Sequence, residues 1–215
     1  MPTTPRKPRK VARIAQTSPG AAATRASGQV RIIGGQWKRT RLDVASQPGL
    51  RPTPDRVRET VFNWLGQDLT GWRCLDAFAG TGALGFEAAS RGAGEVRLVE
   101  RDPALVRSLQ AVQTRLAATM VHVVRGDGML ALKQCARASQ DLVFLDPPFD
   151  STLFEAALQL AAGAVRPDGY IYLEAPKAWN DAALAPMGLQ LHRYLHAGAV
   201  HAHLLRLVPV AHGTA

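Results

Sequence analysis

Cysteine is scarce: Cys74 and Cys135 are the only two in 215 residues, and both lie inside apolar runs. That is too few ligands for a cysteine zinc site and too few pairs for a disulfide framework, so a reducing, intracellular compartment, the cytoplasm, is expected. Long apolar runs are missing too. The longest candidate, Ala156 to Val165, stops well short of the roughly eighteen residues a membrane span needs, which excludes an integral membrane protein. Acids are absent from residues 1–28. That stretch mixes Pro, Arg, Lys, Ser, Thr and Ala with no hydrophobic period and reads as a disordered basic arm. Pro2, Pro5, Pro8 and Pro19 break any amphipathic helix in it and argue against an organelle-targeting peptide. No internal repeat is visible.

Hydrophobic residues, at 47%, suffice for a proper core, and the length fits one domain of common size plus an appendage. The net charge of +9 is concentrated at one end: residues 1–58 hold 13 Lys and Arg against Asp43 and Asp55, whereas residues 59–215 hold 13 against 15 acids. A nearly neutral body with a basic end points to a polyanionic partner, because Lys/Arg clusters release the counterions condensed on phosphates. A tail kept basic for solubility is the alternative.

Order is expected to begin near Val30. Val30 to Ile33, Gly34-Gly35 and Trp37 to Val44 read as a β-hairpin carrying Arg31, Lys38, Arg39 and Arg41. In Leu50-Arg-Pro-Thr-Pro-Asp55, Thr53 can cap and Pro54 can open a helix. That helix runs to about Leu65 with Val57, Val61, Trp64 and Leu65 on one face and Arg56 and Arg58 on the other. From Trp72 onward strands are expected at Arg73–Ala77, Val96–Glu100, Val121–Val124, Leu142–Leu145 and Tyr170–Glu174, with helices from about Thr81, Pro103, Gly128 and Thr152. This alternation means βαβ units around a parallel sheet. Leu189–Leu195 and Val200–Val208, joined by a short connection, should finish the sheet as an antiparallel hairpin. The domains expected are a disordered arm (1–28), a basic hairpin-and-helix module for docking (29–68) and a catalytic α/β domain (69–215).

The run Asp76-Ala-Phe78-Ala-Gly80-Thr81-Gly82-Ala-Leu-Gly85 follows the first strand of the α/β body and opens a helix, the proper context for a nucleotide-binding glycine loop. Glu100 ends the next strand, where a carboxylate can accept from both ribose hydroxyls. Asp76 stands where a dehydrogenase would pass its pyrophosphate, and a carboxylate there repels phosphate and favours a cation such as an ammonium group. Asp127, after the third strand, can take an exocyclic N–H or serve as a plain turn aspartate. Asp146-Pro147-Pro148-Phe149 directly follows the apolar Leu142–Leu145. Two prolines remove donors and extend the turn, so the Asp146 carboxylate and the Pro147 carbonyl can accept both protons of an exocyclic amine while Phe149 offers a stacking face.

These motifs resemble the class I S-adenosylmethionine-dependent amino-methyltransferases. More narrowly, Arg31-Ile-Ile-Gly-Gly-Gln-Trp-Lys38, Leu50-Arg-Pro-Thr-Pro-Asp-Arg-Val-Arg-Glu-Thr-Val-Phe-Asn-Trp-Leu65 and Asp146-Pro-Pro-Phe149 resemble the RsmD family, which methylates a guanine N2 amine in bacterial 16S ribosomal RNA. The resemblance covers residues 30 to about 208 and leaves the first 28 outside; Gln113 stands where the family's asparagine is expected. It implies a Rossmann-like, seven-stranded sheet with a C-terminal antiparallel hairpin, S-adenosylmethionine as cofactor, and 16S ribosomal RNA or the small ribosomal subunit as partner; a monomer is expected. It also implies that Asp76, Phe78, Gly80, Thr81, Gly82, Glu100 and Asp127 line the cofactor site and that Asp146 to Phe149 hold the guanine. Arg31, Lys38, Arg39, Arg41 and Arg51 become the RNA contacts. Arg51, Thr53 and Arg56 stand where they can close over the methionine end of the cofactor, with helix-capping and surface roles as the structural alternative.

Neither cysteine follows a proline, which disfavours covalent catalysis at a pyrimidine carbon. His192, His196, His201 and His203 gather in the C-terminal hairpin without acids or cysteines at metal-ligand spacing, so no metal is expected. A methyltransferase acting on the amino groups of DNA adenine or cytosine, a nicotinamide-dependent oxidoreductase and a non-catalytic RNA-binding protein are the rival readings.

Overall fold

The computed structural model describes residues 29–43, 53–149 and 151–209. The expectations for the arm and for Arg51 lie outside these residues. Strands β1 (Gln29–Arg31) and β2 (Arg41–Asp43) form a small antiparallel ladder, and α1 spans Asp55–Trp64. The body follows as β3 (Arg73–Asp76), α2 (Ala83–Ser90), β4 (Glu95–Glu100), α3 (Pro103–Arg115), β5 (Val121–Arg125), α4 (Gly128–Gln134), β6 (Gln140–Leu145), α5 (Phe154–Ala164) and β7 (Val165–Ala175). A short helix α6 (Asp181–Leu184), one 3-10 turn (Ala185–Met187), β8 (Leu189–Ala197) and β9 (Val200–Leu207) complete it. The large sheet has seven strands in the order β5-β4-β3-β6-β7-β9-β8, the first five parallel and the last pair antiparallel. The expected α/β architecture is therefore present. β4 lies on one side of β3 and β6 on the other, so the strand order switches at β3, where open α/β sheets form a ligand crevice beyond the carboxyl ends.

Each face of the sheet buries its own apolar layer. Val57, Val61 and Phe62 of α1, Phe86 of α2 and Leu109 of α3 pack on one face together with Val30, Ile32 and Leu42 of the small hairpin. Leu132 of α4, Leu158 of α5 and Leu184 of α6 pack on the other. Local signals seat the helices: Asp102 accepts from the N–H groups of Ala104 (2.7 Å) and Leu105 (3.0 Å) with Pro103 as the first helical residue of α3.

Three expectations at the amino end are corrected. The hairpin strands are short, because Trp37 to Arg39 form a turn, with Arg39 at φ 72°. The loop instead docks on α2: the Gln36 N–H donates to the Ser90 carbonyl (2.8 Å) and the Trp37 N–H to Ser90 Oγ (2.9 Å). Thr53 does not cap α1; Pro54 holds that position without a side-chain bond, and the Thr53 hydroxyl points into the sheet. Arg58 is not on an outer face. Its side chain is fully buried, where its guanidinium reaches the Thr53 and Arg31 carbonyls, Asp55 and Glu87. Helical periodicity alone cannot say which polar residue meets a buried acid.

Candidate functional site

The register of the central strands assembles the site. Asp76 pairs with Phe144, and Phe144 with Tyr172, so these residues lie on one rung across β3, β6 and β7. Two positions on, Asp146 and Glu174 fall on the same face, because side chains alternate along a strand. Three carboxyls thus converge at the carboxyl edge beside the switch in strand order.

Asp76 and Glu174 are buried, Asp146 and Pro147 flank the strand end as half-buried and buried residues, and Pro148 and Phe149 are exposed. Burial raises the Asp76 carboxyl to about 7, against hydrogen bonds from the Phe78 and Gly85 backbone that pull it down and the charges of Glu100 and Glu174 that push it up. Desolvation, then the charges of Glu174 and Asp76, hold Asp146 well above the ordinary range. Glu174 is raised as well, chiefly by burial, although the Thr53 hydroxyl (2.6 Å) and the Tyr172 hydroxyl (2.8 Å) both donate to its Oε1 and oppose the rise. Glu174 escaped the sequence reading, as did Tyr172. The available signal was an acid near the end of an otherwise apolar core strand, Tyr170-Ile-Tyr-Leu-Glu174.

The glycine loop lies between β3 and α2. Gly80 and Gly82 adopt left-handed φ values of 52° and 76°, and a Cβ on Gly82 would come within 2.5 Å of Leu109 and 2.8 Å of Phe86. Glycine is needed there for both conformation and packing. Glu100 holds the loop in place: its Oε2 accepts the Gly80 N–H (2.9 Å) and its Oε1 the Asp102 N–H (2.8 Å). Each oxygen keeps a further lone-pair direction, since a carboxylate has about four acceptor sites. Asp127 caps α4 through Oδ1 to the Leu130 N–H (2.9 Å) and is exposed. Phe78 and Thr81 are half-buried beside this loop, Arg56 is exposed on α1, and Thr53 reaches the carboxyl cluster through Glu174. Arg31, Lys38, Arg39 and Arg41 are all exposed on the small hairpin. Gln113 donates from Nε2 to the Val121 carbonyl (2.6 Å), tying α3 to β5.

A family model described as "Conserved hypothetical protein 95" matches residues 30–206. Ribosomal RNA small subunit methyltransferase D of Escherichia coli K12 is 43% identical over 176 residues, 81% of this chain and 88% of that protein. The chain belongs to the RsmD methyltransferase family. The Haemophilus influenzae protein of the same name is 42% identical over 157 residues, 71% of this chain and 81% of its own length. A solved methyltransferase structure from Escherichia coli superposes with a TM-score of 0.73 at 41% identity, covering 84% of this chain and 98% of that one. The chain is thus a methyltransferase, and its family uses S-adenosylmethionine.

The residues present fit that cofactor by the chemistry of their donor and acceptor groups. Asp127, Glu100 and Asp76 follow or end the neighbouring strands β5, β4 and β3, forming an acceptor row. S-adenosylmethionine carries an exocyclic amine, two ribose hydroxyls and an ammonium group, all donors. Among the described residues, no group of three or more His, Cys, Asp or Glu could hold a metal ion, and no helix is long and apolar enough to cross a membrane.

Proposed function

We propose that this protein transfers a methyl group from S-adenosylmethionine to the exocyclic N2 amine of a guanine in 16S ribosomal RNA. The observation that carries this reading is Asp146-Pro-Pro-Phe149 at the carboxyl end of β6, one strand from the glycine loop after β3, in a chain of this family. The relatives are named for small-subunit ribosomal RNA, which supports RNA over DNA as the polymer. Asp76, Phe78, Gly80, Thr81, Gly82, Glu100 and Asp127 hold the cofactor, with Thr53 and Arg56 at the amino end of α1 closing over it. The protein works as a cytoplasmic monomer and needs no metal.

When bound, S-adenosylmethionine supplies an electrophilic methyl group. Asp76 binds the ammonium end, Glu100 the ribose and Asp127 the adenine amine. A cation seated beside Asp76 favours the ionised forms of the neighbouring carboxyls, which their crowding otherwise opposes. Phe149, 38% exposed, stacks on a guanine drawn out of its helix and replaces part of the lost stacking. Asp146 and the Pro147 carbonyl accept the two N2 protons, turning the nitrogen lone pair out of the ring and stabilising the positive charge that develops there. A strong base is not required, because the nitrogen becomes acidic once alkylated.

Mass spectrometry of small-subunit RNA from cells lacking this protein tests the assignment. One N2-methylguanosine should disappear and return on complementation with the wild-type chain but not with Asp146→Ala. Full methylation in the deletion strain would overturn the reading.

A further inference from the structure

The C-terminal hairpin places four aromatic or imidazole side chains at the same carboxyl edge of the sheet as the candidate site, on the face opposite to Glu174, since Leu173 pairs with His203 and Ala175 with His201 whereas Glu174 pairs with Ala202. Tyr194 is opposite His203 and His196 is opposite His201, and alternation puts all four side chains on one side of the ladder. Because His201 also pairs with Ala175, the last residue of β7, the tip of the hairpin stands at the carboxyl end of the parallel strands, two places along the sheet from β7. The His196 and His201 rings stack at 4.1 Å, the Tyr194 ring stacks on His201 at 5.9 Å, and the Tyr194 hydroxyl bonds His201 Nδ1 (2.6 Å).

His203 has a different task from its neighbours. It is buried, its imidazole is held down at about 4 mainly by burial, and its Nε2 accepts the Trp179 N–H (3.0 Å). A neutral His203 thereby pins the segment after β7, where the exposed Lys177 lies over the Trp179 ring at 5.7 Å. Exposed Phe149, Lys177 above Trp179, and exposed Tyr194 and His196 therefore follow one another along this edge. A row of rings with a lysine beside it fits a single-stranded nucleic acid: every base has a face to stack, and every linkage a negative charge.

We infer that the β8–β9 tip, through Tyr194, His196 and His201 with the neighbouring Lys177, is a stacking platform for unpaired nucleotides next to the target guanine. The inference rests on the proposed RNA-methylating function and adds a second RNA-contacting surface, on the sheet face opposite to the one against which the amino-terminal hairpin packs. The occupant is RNA and not a second copy of the chain, because the platform continues the edge that carries Asp146 to Phe149 and bears a lysine where a phosphate chain would pass.

The test measures binding of the full chain to naked 16S RNA, and to a single-stranded RNA oligonucleotide and its duplex as competitors, for wild type, Tyr194→Ala, Tyr194→Phe, His196→Ala/His201→Ala and Lys177→Ala. Tyr194→Ala and the double histidine variant should each lose roughly 5- to 150-fold in affinity, the range set by one lost base stack. Tyr194→Phe should stay near wild type, and the loss should appear for the single strand and not for the duplex. S-adenosylmethionine affinity, read by calorimetry, should not change. Unaltered RNA affinity in both variants would overturn the platform while leaving the methyltransferase reading intact, provided the wild type methylates. A wild type that neither binds nor methylates 16S RNA would remove the function itself. Unchanged RNA affinity with a dimer of the wild type dispersed by Tyr194→Ala would make this face a self-association surface instead.

Discussion

Two buried polar clusters lie on the same side of the sheet and are built on opposite principles. Around Glu87, charge is matched: its Oε1 accepts from the Gly34 N–H (2.8 Å) and from Arg91 Nη2 (2.8 Å), its Oε2 from the Ile33 N–H (2.8 Å) and Arg58 Nη1 (3.4 Å). Arg91 also lies over the Phe62 ring at 4.8 Å. This cluster clamps the amino-terminal hairpin onto α2, the helix that follows the glycine loop. At the carboxyl edge the carboxyls outnumber the cations: the charge of Glu174 raises both Asp76 and Asp146, that of Asp76 raises Asp146 further, and only Glu174 has a cation, Arg58, pulling it down. A matched cluster is what a structural joint requires. An unmatched one costs stability and is retained where a cation or a donor-rich ligand completes it.

Breaking the matched cluster should have the largest effect. Glu87→Ala leaves the buried Arg91 guanidinium without its acid and Arg58 with only the exposed Asp55, and should cost about 3–5 kcal/mol in urea unfolding, the usual loss when one partner of a buried pair is removed. The double variant Arg58→Met/Glu87→Leu removes both charges of one pair and should recover part of that loss. If Glu87→Ala unfolds like wild type, the clamp is not structural.

In the unmatched cluster the effect should fall on turnover. Asp146→Ala should slow methyl transfer on the order of 10²- to 10³-fold, as for other lost charge-stabilising groups, with S-adenosylmethionine affinity within a few-fold of wild type. Asp146→Asn should be milder, since its amide oxygen still accepts one N–H. Single-turnover methylation of undermethylated small-subunit RNA provides the measurement, and near-normal rates in the alanine variant would take Asp146 out of the mechanism.

Asp76 sharpens the comparison through pH. Its folded value of about 7 lies above the ordinary 3.8, so across that window the folded chain keeps a proton that the unfolded chain has released. The Asp76 contribution to stability should therefore decline as pH rises from about 4 to about 7 and level off above it, and Asp76→Asn should remove that part of the decline. A cationic ligand needs the ionised carboxylate, so wild-type cofactor affinity should climb across the upper part of the same window and become flat in Asp76→Asn. Parallel pH profiles for the two proteins, in both unfolding and calorimetry, would show that Asp76 is not the titrating group.

The smallest effect belongs to the exposed hairpin. Neutralising Arg31, Lys38, Arg39 and Arg41 should leave cofactor affinity alone and lower the log–log salt slope of RNA binding by roughly 0.7 to 0.9 for each phosphate that the protein no longer neutralises. Arg31 should contribute least, because it already lies 3.6 Å from Asp55. An unchanged slope in the quadruple variant would assign the positive charge to solubility alone.

Much of this molecule is legible in its sequence, because the signals are local. The alternation of strand and helix patterns, the Asp102-Pro103 start of α3, the glycine loop and Asp146-Pro-Pro-Phe149 all depend on neighbours a few residues away, so spacing reports them. The short turns of α6 and the 3-10 segment leave no such trace, being too brief to show a period.

Residues whose partners lie far along the chain could be placed only by tertiary structure. Thr53 looks like a helix cap, yet it donates to Glu174, 121 positions away. Arg58 has the spacing of a solvent-facing residue and is buried against Glu87, 29 positions on. The four histidines form one sequence cluster, but the fold divides them into a buried neutral anchor at His203, an accessible stack at His196 and His201, and His192 tilted against Tyr170. Sequence thus determined the family motifs, the elements and the edge of the sheet that carries the candidate site, since backbone propensity and short-range spacing suffice for them. Which buried charges are balanced and which are left unbalanced was decided in three dimensions, because an ionisable group's state depends on the solvent it loses and the charges it meets, and neither is a property of its position in the chain.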